Sequence, residues 1–145
     1  MNDTGRTKLL VSGLFLGLIT IFILACLSEA QQRSHAGVEL AEEGRREEAI
    51  AEYDAAIRLN PQIADAYYNR GVAYANLGEH QQAIEDYNEA LRLDPQDAQA
   101  YANRALAYSR LGEDTDAQHD AERAIELGID RRWLESAIEK ARGQR

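Results

Sequence analysis

Histidine and cysteine are the side chains best able to bind metals or act as nucleophiles, and this chain has few of them. His35, His80 and His119 lie far apart, and none is at the spacing of a metal-ligand pair. Cys26, the single cysteine, has no partner in the chain for a disulfide. No Ser-His-Asp order, glycine-rich phosphate loop or HExxH motif is present. The sequence therefore predicts a non-enzyme with no catalytic residues, no metal and no cofactor.

Two asparagines offer a different chemistry, which is the recognition of a peptide. Asn69 and Asn103 lie 34 residues apart. An asparagine amide both donates and accepts hydrogen bonds, so it can bind the backbone of an extended peptide. The alternative is that each amide bonds a neighbouring helix or water. Peptide binding requires elements that hold the two side chains on one face, and the same interval identifies those elements.

The interval is an internal repeat of 34 residues, found by aligning Ala64–Asp97 with Ala98–Arg131. A weaker copy covers Ala30–Ile63. The residues of the middle copy that recur one period later are Ala64, Ala66, Tyr67, Asn69, Arg70, Ala73, Tyr74, Leu77, Gly78, Glu79, Ala83, Asp86, Ala90 and Leu93.

Each copy has the pattern of two helices joined by a tight turn. In the middle copy, apolar residues at helical spacing predict a first helix from about Ala64 to Leu77 and a second from about Gln81 to Leu93. Gly78 between them can adopt the left-handed conformation that ends a helix. Pro95 ends the second helix, because proline cannot continue the backbone hydrogen bonds. The sequence thus predicts an all-α fold without a sheet.

The pattern Tyr67-x2-Arg70-Gly71-x2-Tyr74…Ala83-x3-Tyr87…Ala90…Pro95 resembles the tetratricopeptide repeat. The resemblance covers roughly residues 30–131 and implies a curved solenoid whose first helices line a concave groove. The outer copies depart from the pattern. The departures are Arg33 in place of an aromatic residue, Leu40 in place of Tyr, Ala121 in place of an aromatic residue, and Gly128-Ile129 in place of Asp-Pro.

The resemblance implies a groove formed by the outward faces of the first helices. In the second and third copies the predicted groove residues are Asn69, Asn103, Tyr68, Val72, Asn76, Gln99, Leu106 and Arg110, with Asp65 and Ala102 beside them. In the first copy the equivalents are Ser34, Val38 and Glu42. Some relatives bind a C-terminal carboxylate through charged groove residues, but the matching positions here hold Ser34, Val38, Asn69, Gln99 and Asn103, of which only Asn69 fits.

A second set of residues is predicted to be structural. Small side chains allow the helices to approach closely, and Pro95 separates the copies; these positions are Gly71, Ala83, Ala90 and Pro95. Arg70 and Arg104 are predicted to pair with carboxylates, because arginine forms fork-shaped pairs at partly buried sites. Two arrangements are open. Each arginine pairs with Asp86 or Asp120 in its own hairpin, or with Glu52 or Asp86 in the preceding one.

A last amphipathic helix is predicted over residues 132–143. Trp133, Leu134, Ala137, Ile138 and Ala141 form one stripe. A repeat array needs a cap with a polar outer face, so we expect this helix to close the third copy with Trp133 as its anchor.

The charge of the chain limits its partners. The formal net charge is −9 at pH 7, with 25 acidic and 16 basic residues. This field repels a phosphate backbone, so nucleic acid is not an expected partner. Neutral or basic peptides are expected instead.

Residues 9–27 read LLVSGLFLGLITIFILACL and contain no charge. As a helix they would span about 30 Å, the thickness of a bilayer core. Arg6 and Lys8 precede them, which favours an N-terminus in the cytoplasm and a domain on the other side. Three fates remain open. The segment is retained as an anchor, or it is cleaved after Ala30, or Cys26 in a lipoprotein-like box carries a lipid.

The predicted organisation is a cytoplasmic tail at 1–8, a transmembrane or signal segment at 9–27, repeats at 30–63, 64–97 and 98–131, and a capping helix at 132–143. The first functional hypothesis is a non-catalytic adaptor that binds a peptide segment of a partner protein in the groove, at the outer side of a membrane. The alternative is a structural part of an envelope assembly, of the secretion or pilus type, that acts through its convex face.

Overall fold

The computed structural model describes the backbone of residues 3–144 and the side chains of residues 19–144. This part of the chain is entirely helical and has no strand, as the sequence predicts. Its helices are α1 Asp3–Glu42, α2 Arg46–Leu59, α3 Ala64–Leu77, α4 His80–Leu93, α5 Ala98–Leu111, α6 Asp114–Glu126 and α7 Arg131–Arg142.

The helices form three hairpins, α1–α2, α3–α4 and α5–α6, followed by α7. Consecutive hairpins meet where α2 packs on α3 and where α4 packs on α5. The first helices of the hairpins also contact one another, α1 with α3 and α3 with α5, so they form one continuous layer. The stacked arrangement predicted for the repeats is therefore confirmed.

Glycine and proline set the lengths of these helices. Gly44, Gly78 and Gly112 end the first helices of the hairpins with φ of 81°, 83° and 85°, a conformation that glycine adopts without steric cost. Asp94, before Pro95, ends α4 in an extended conformation with φ of −130°. Each hairpin therefore turns within a few residues, which keeps the repeats in register.

The N-terminal segment and the first repeat share one helix. α1 runs from Asp3 to Glu42 without a break at the expected boundary near residues 27–30. Among the described residues, no helix combines the length and hydropathy needed to cross a bilayer. Residues 1 and 2 and the side chains of residues 3–18 lie outside the described residues. Cys26, on a later turn of α1, is a free thiol of intermediate exposure.

The two helices of a hairpin pack through a glycine and a tyrosine ring. A Cβ atom on Gly71 would lie 2.8 Å from Tyr87 Cε1 and 3.3 Å from the Ala83 carbonyl oxygen. Gly37 of the first hairpin meets Tyr53 in the same way, with 2.5 Å to Cε1. Ala83 and Ala90 are also buried. The absence of a side chain on Gly71 therefore allows α4 and its aromatic ring to approach α3.

Replacing Gly71 by alanine should destabilise the protein by about 1–3 kcal/mol, because the new methyl group overlaps the buried Tyr87 ring. In an exposed helix the same change would stabilise by up to about 1 kcal/mol through helix propensity. The sign of the effect in urea unfolding therefore tests the contact. A more stable Gly71→Ala variant would mean that the ring moves aside freely.

The third hairpin uses different side chains for the same contact. Ala105 and Ala121 stand where the second hairpin has Gly71 and Tyr87. Leu134 and Ile138 of α7 join these two alanines in one buried cluster with Ala102 and Ala124. The apolar volume missing at Ala121 is thus supplied by α7, which explains why the last repeat tolerates the departure.

Trp133 is not the anchor of the capping helix, so that prediction is wrong. Its side chain is 52% exposed, whereas the neighbouring Leu134 is completely buried. Leu134, Ile138 and Ala141 are the buried face of α7. Trp133 lies about 100° around the helix from Leu134, so its side chain points away from the buried face. Its backbone N–H donates to Asp130 Oδ1 at 2.8 Å in the first turn of α7.

Candidate peptide-binding groove

Arg70 joins two hairpins through ion pairs. Its Nε and Nη2 donate to the two carboxylate oxygens of Asp86 at 2.8 and 2.6 Å. Its Nη1 donates to Asp54 on α2. The guanidinium also lies over the Tyr67 ring, 5.7 Å from the centroid. These contacts fix α3 against both α4 and the preceding hairpin, and so set the position of the groove-lining face of α3.

Arg104 repeats this arrangement one period later. It donates to both oxygens of Asp120 at 2.6 and 2.8 Å, and to Asn88 Oδ1 at 2.6 Å. The rings of Tyr101 and Tyr108 lie 5.5 and 5.9 Å from its guanidinium carbon. The third donor of Arg104 therefore meets a neutral amide, whereas that of Arg70 meets a carboxylate.

Of the two arrangements that the sequence left open, the structure has the pairs within a hairpin. The cross-hairpin partner of Arg70 is Asp54 and not Glu52, which instead accepts from Arg33 at 3.2 Å. Residues two apart on a helix point to different sides. Glu52 therefore faces α1 of its own hairpin and Asp54 faces α3. Asn88 replaces Asp86 as the cross-hairpin partner of Arg104 for the same reason.

The charges of the Arg70 site depend on one another. The hydrogen bond to Asp86 is the main cause that raises the pKa of Arg70, which therefore stays charged. Burial raises the pKa of Asp86, and the hydrogen bond from Arg70 opposes that shift. For Arg104, burial lowers the pKa, but the bond to Asp120 and neighbouring charges outweigh it and the net shift is upward. Both guanidinium groups thus stay charged, and the bond from Arg70 limits the upward shift of the Asp86 pKa.

Two cavities open along the layer formed by α1, α3 and α5. One, of about 230 Å³, lies between α1 and α3 and is lined by Val38 and Asn69 among others. The second, of about 200 Å³, lies between α3 and α5 and is lined by Asn103 and Arg110 among others. Val72 and Asn76 line both cavities. The two cavities therefore form one groove across α3, which we call the α1–α3–α5 groove.

The two asparagines differ in how far their amides are used. Asn103 Nδ2 donates to the Tyr68 hydroxyl at 3.0 Å, which ties α5 to α3. Asn69 makes no side-chain hydrogen bond to any other described residue, although it lines the cavity between α1 and α3. Asn69 is therefore available to a ligand, and Asn103 retains its carbonyl oxygen and one N–H.

The remaining predicted groove residues divide into three groups. Leu106 lines the cavity between α3 and α5. Tyr68 lies beside the groove, where its ring is 6.1 Å from that of Tyr87, and burial raises its pKa. Gln99 lines neither cavity. Two further predictions are wrong, because Ser34 and Ala102 are buried.

The sequence analysis missed several lining residues. Arg46 and Tyr53 belong to α2, yet they reach the cavity between α1 and α3. His80 is the first residue of α4 and lines the other cavity. Contributions from second helices depend on how closely the helices pack, so helical periodicity alone gives no signal for them.

No group of three metal-ligating side chains occurs among the described residues.

Burial lowers the pKa of His80, and the positive charge of Arg110 lowers it further. Its Nδ1 is buried without a hydrogen-bond partner. The folded state therefore favours the neutral ring, so as the pH falls the unfolded state binds the proton first. This contribution to stability is complete above the unfolded pKa of about 6.5 and is lost as the pH falls below it.

The stability of the full chain should accordingly decline between pH 7.5 and 5.5, and replacing His80 by glutamine should reduce the decline. Urea unfolding at the two pH values measures both effects. His35→Gln, an exposed site on α1, is the control and should keep the wild-type decline. An equal decline in the wild type and the His80 variant would assign the effect to other groups.

The fold and the groove define a helical-repeat protein, and family comparison identifies the repeat. Three tetratricopeptide repeat families match, at residues 37–78, 64–97 and 86–119. Together these matches span residues 37–119, more than half of the chain. The chain belongs to the tetratricopeptide repeat family. A comparison with curated proteins gives no match.

Solved structures with the same fold include peptide complexes. The tetratricopeptide domain of Arabidopsis OM64 is 25% identical, with a TM-score of 0.75, and the alignment covers 83% of this chain and 99% of that one. The second domain of human RPAP3, in complex with the HSP70 peptide SGPTIEEVD, is 26% identical at a TM-score of 0.73 over 79% and 95%. The TPR2B domain of yeast Sti1, in a complex with pHsp70, is 27% identical at 0.72 over 81% and 99%.

Proposed function

We propose that this protein is a non-catalytic adaptor that binds an extended segment of a partner protein in the α1–α3–α5 groove. The observation that carries the proposal is Asn69. Its amide lies in a groove, on the face shared by two neighbouring cavities, without a hydrogen-bond partner among the described residues. An unbonded amide beside apolar side chains such as Val38 and Val72 suits a peptide, which offers backbone groups and side chains together.

The structural relatives support peptide binding as the class of function but not a particular ligand. Human RPAP3 is described in complex with a peptide ending in EEVD. In this chain the positions expected to bind a terminal carboxylate hold Ser34, Val38, Asn69, Gln99 and Asn103. Ser34 is buried and Val38 is apolar. The segment recognised by this chain therefore differs from such tails in how it is held.

Residues 9–27 attach the protein to a membrane in this proposal, with the repeats on the outer side. The support is the uncharged sequence and the basic residues Arg6 and Lys8 before it. Cleavage after Ala30 and lipidation of Cys26 are the alternatives. The mass of the mature protein separates the three, and protease treatment of intact cells tests the location. A full-length protein protected from external protease would contradict an outer location.

The groove is tested by replacing both asparagines with alanine. The full chain, kept in a mild detergent, is exposed to a soluble decapeptide library, and retained peptides are identified by mass spectrometry. Wild type should retain a defined set, and Asn69→Ala with Asn103→Ala should bind those peptides about tenfold less tightly, through loss of backbone hydrogen bonds.

Two control variants make this result specific. Gln81→Ala, at an exposed position of α4, should bind as wild type. Tyr68→Phe removes the hydrogen bond to Asn103 without removing either amide, so it separates loss of a ligand contact from loosening of α5. A library from which wild type retains no peptide would contradict the proposed function.

A structural role in an envelope assembly is the second candidate. The observation in its favour is the exposure of two large apolar side chains, Trp133 on α7 and Leu111 at the end of α5. Neither lines the groove. Crosslinking in intact membranes discriminates the two functions. Neighbours retained by the double asparagine variant but lost with Trp133→Ser would support the assembly role.

A further inference from the structure

The cavity between α3 and α5 contains a cation without an anion. Most arginines of the described region lie against a carboxylate, as Arg70, Arg104 and Arg142 do. Arg110 lines this cavity, is half-buried, and has no ion pair or side-chain hydrogen bond to another described residue. Arg46, in the cavity between α1 and α3, is also half-buried without such a partner, but Glu42 lines that cavity with it. Arg110 differs in that its cavity holds the cation alone.

The position of Arg110 in the last turn of α5 does not explain why its guanidinium lies in the cavity without an anion. Partial negative charge at the C-terminal end of a helix stabilises a cation there. That interaction does not use the five N–H donors of the guanidinium, which remain available. Because this guanidinium lies in a cavity and is partly desolvated, an anion bound to it would be attracted more strongly than at the open surface.

The neighbours of Arg110 are also suited to an anion. Asn76 and Asn103 line the same cavity, and an amide N–H of each is available to donate. His80, beside them, is the first residue of α4, so the positive end of that helix faces this part of the groove. No acidic side chain lines the cavity.

We propose that this cavity binds a carboxylate of the peptide, with Arg110 as its ion-pair partner and the amides of Asn76 and Asn103 as additional donors. The inference rests on the proposed function and narrows it to segments with an acidic residue. It corrects the expectation from net charge, because this cavity is lined by a cation and by no acidic side chain, although the whole chain has a net charge of −9.

The groove also sets where the carboxylate falls in the peptide. The two cavities lie on either side of α3, and packed helices are about 10 Å apart. An extended chain advances about 3.3 Å per residue. The acidic residue should therefore be about three positions from the residue that occupies the cavity between α1 and α3.

The test uses two positional-scanning libraries of N-acetylated decapeptides, one with amidated and one with free C-termini. The protein is the full chain in detergent, as wild type, Arg110→Gln and Arg132→Gln. Arg132 is an exposed arginine of α7 outside the groove, so its variant has the same charge change. Thermal unfolding checks that all three are folded, and fluorescence anisotropy gives the affinities of selected peptides.

We expect wild type and Arg132→Gln to enrich Asp or Glu at one position of the amidated library. Arg110→Gln should lose this preference and bind the acidic peptides about tenfold less tightly, while binding their Asn or Gln analogues as wild type does. Enrichment confined to the free-acid library, and lost in Arg110→Gln, would support the same site with a terminal carboxylate as its ligand.

Peptides retained without an acidic preference, or with one that survives Arg110→Gln, would overturn the carboxylate site and leave the groove function standing. The absence of any retained peptide would instead reject the groove function, and the inference with it.

Discussion

Replacing Asp120 by asparagine is expected to lower the free energy of unfolding by about 3 kcal/mol, because among the described residues it is the only carboxylate paired with Arg104. The Asp120 side chain is 2% exposed and that of Arg104 is 17% exposed. Asparagine has the shape of aspartate but presents an N–H to one donor of the guanidinium. The arginine would then remain partly buried with only the neutral amide of Asn88 and the two tyrosine rings beside it.

The equivalent change in the second hairpin should cost less. Asp86→Asn also breaks a bidentate pair, but Arg70 keeps a carboxylate partner in Asp54. We therefore expect Asp86→Asn to be about 1–2 kcal/mol less destabilising than Asp120→Asn. This difference is the contribution of the remaining hydrogen bond to a charged group.

The second carboxylate partner that Arg70 has can be introduced beside Arg104. Adding Asn88→Asp to the Asp120 variant gives Arg104 the second carboxylate that Arg70 has, and should restore about 1 kcal/mol or more. Urea unfolding of the full chain in mild detergent measures the single and double variants as a cycle. Equal losses for Asp86→Asn and Asp120→Asn, with no recovery on adding Asn88→Asp, would mean that the third donor of the arginine contributes nothing.

Replacing Leu134 by alanine is expected to cost about 2–5 kcal/mol, the range for removing a buried leucine from a packed core. Leu134 is completely buried and joins α7 to Ala105 and Ala121 of the third hairpin. The fully buried side chains of that hairpin in the cluster are alanines, whereas the larger Tyr101, Leu106 and Ile125 are only partly buried against it. The loss within this range depends on how far these three side chains close the cavity.

The matched control is the neighbouring residue. Trp133→Ala removes a larger side chain, but that side chain is half exposed, so its loss should change the free energy of unfolding by less than about 1 kcal/mol. Thermal and urea unfolding measure both variants. A tryptophan variant less stable than the leucine variant would restore Trp133 as the anchor and contradict the packing of α7 described above.

The two helices of each repeat could be predicted because their signals are local. Gly78 and Pro95 act on the backbone of their own segment, and the structure has α3 and α4 end beside them. The bounds of α3, Ala64–Leu77, are those expected from apolar spacing. Recurrence at 34 residues then fixes the stacking, because identical units in series can only repeat the same contact.

The ion-pair partners could be predicted only in part. Arg70 and Asp86 belong to the same hairpin, whose turn brings them opposite each other. Asp54 is on another hairpin, and its place opposite Arg70 depends on the angle between the two units. The same limit applies to His80 and Arg46, which reach the groove from second helices.

The sequence by itself determined the elements, their order and the repeat, because helix propensity, glycine turns and proline stops act over a few residues. The tertiary structure alone decided which face of each helix is free. It buried Ser34 and Ala102, exposed Trp133, and left Asn69 and Arg110 without partners among the described residues. The physical reason is that burial and pairing depend on the distance and rotation between helices, which packing of all the side chains sets together.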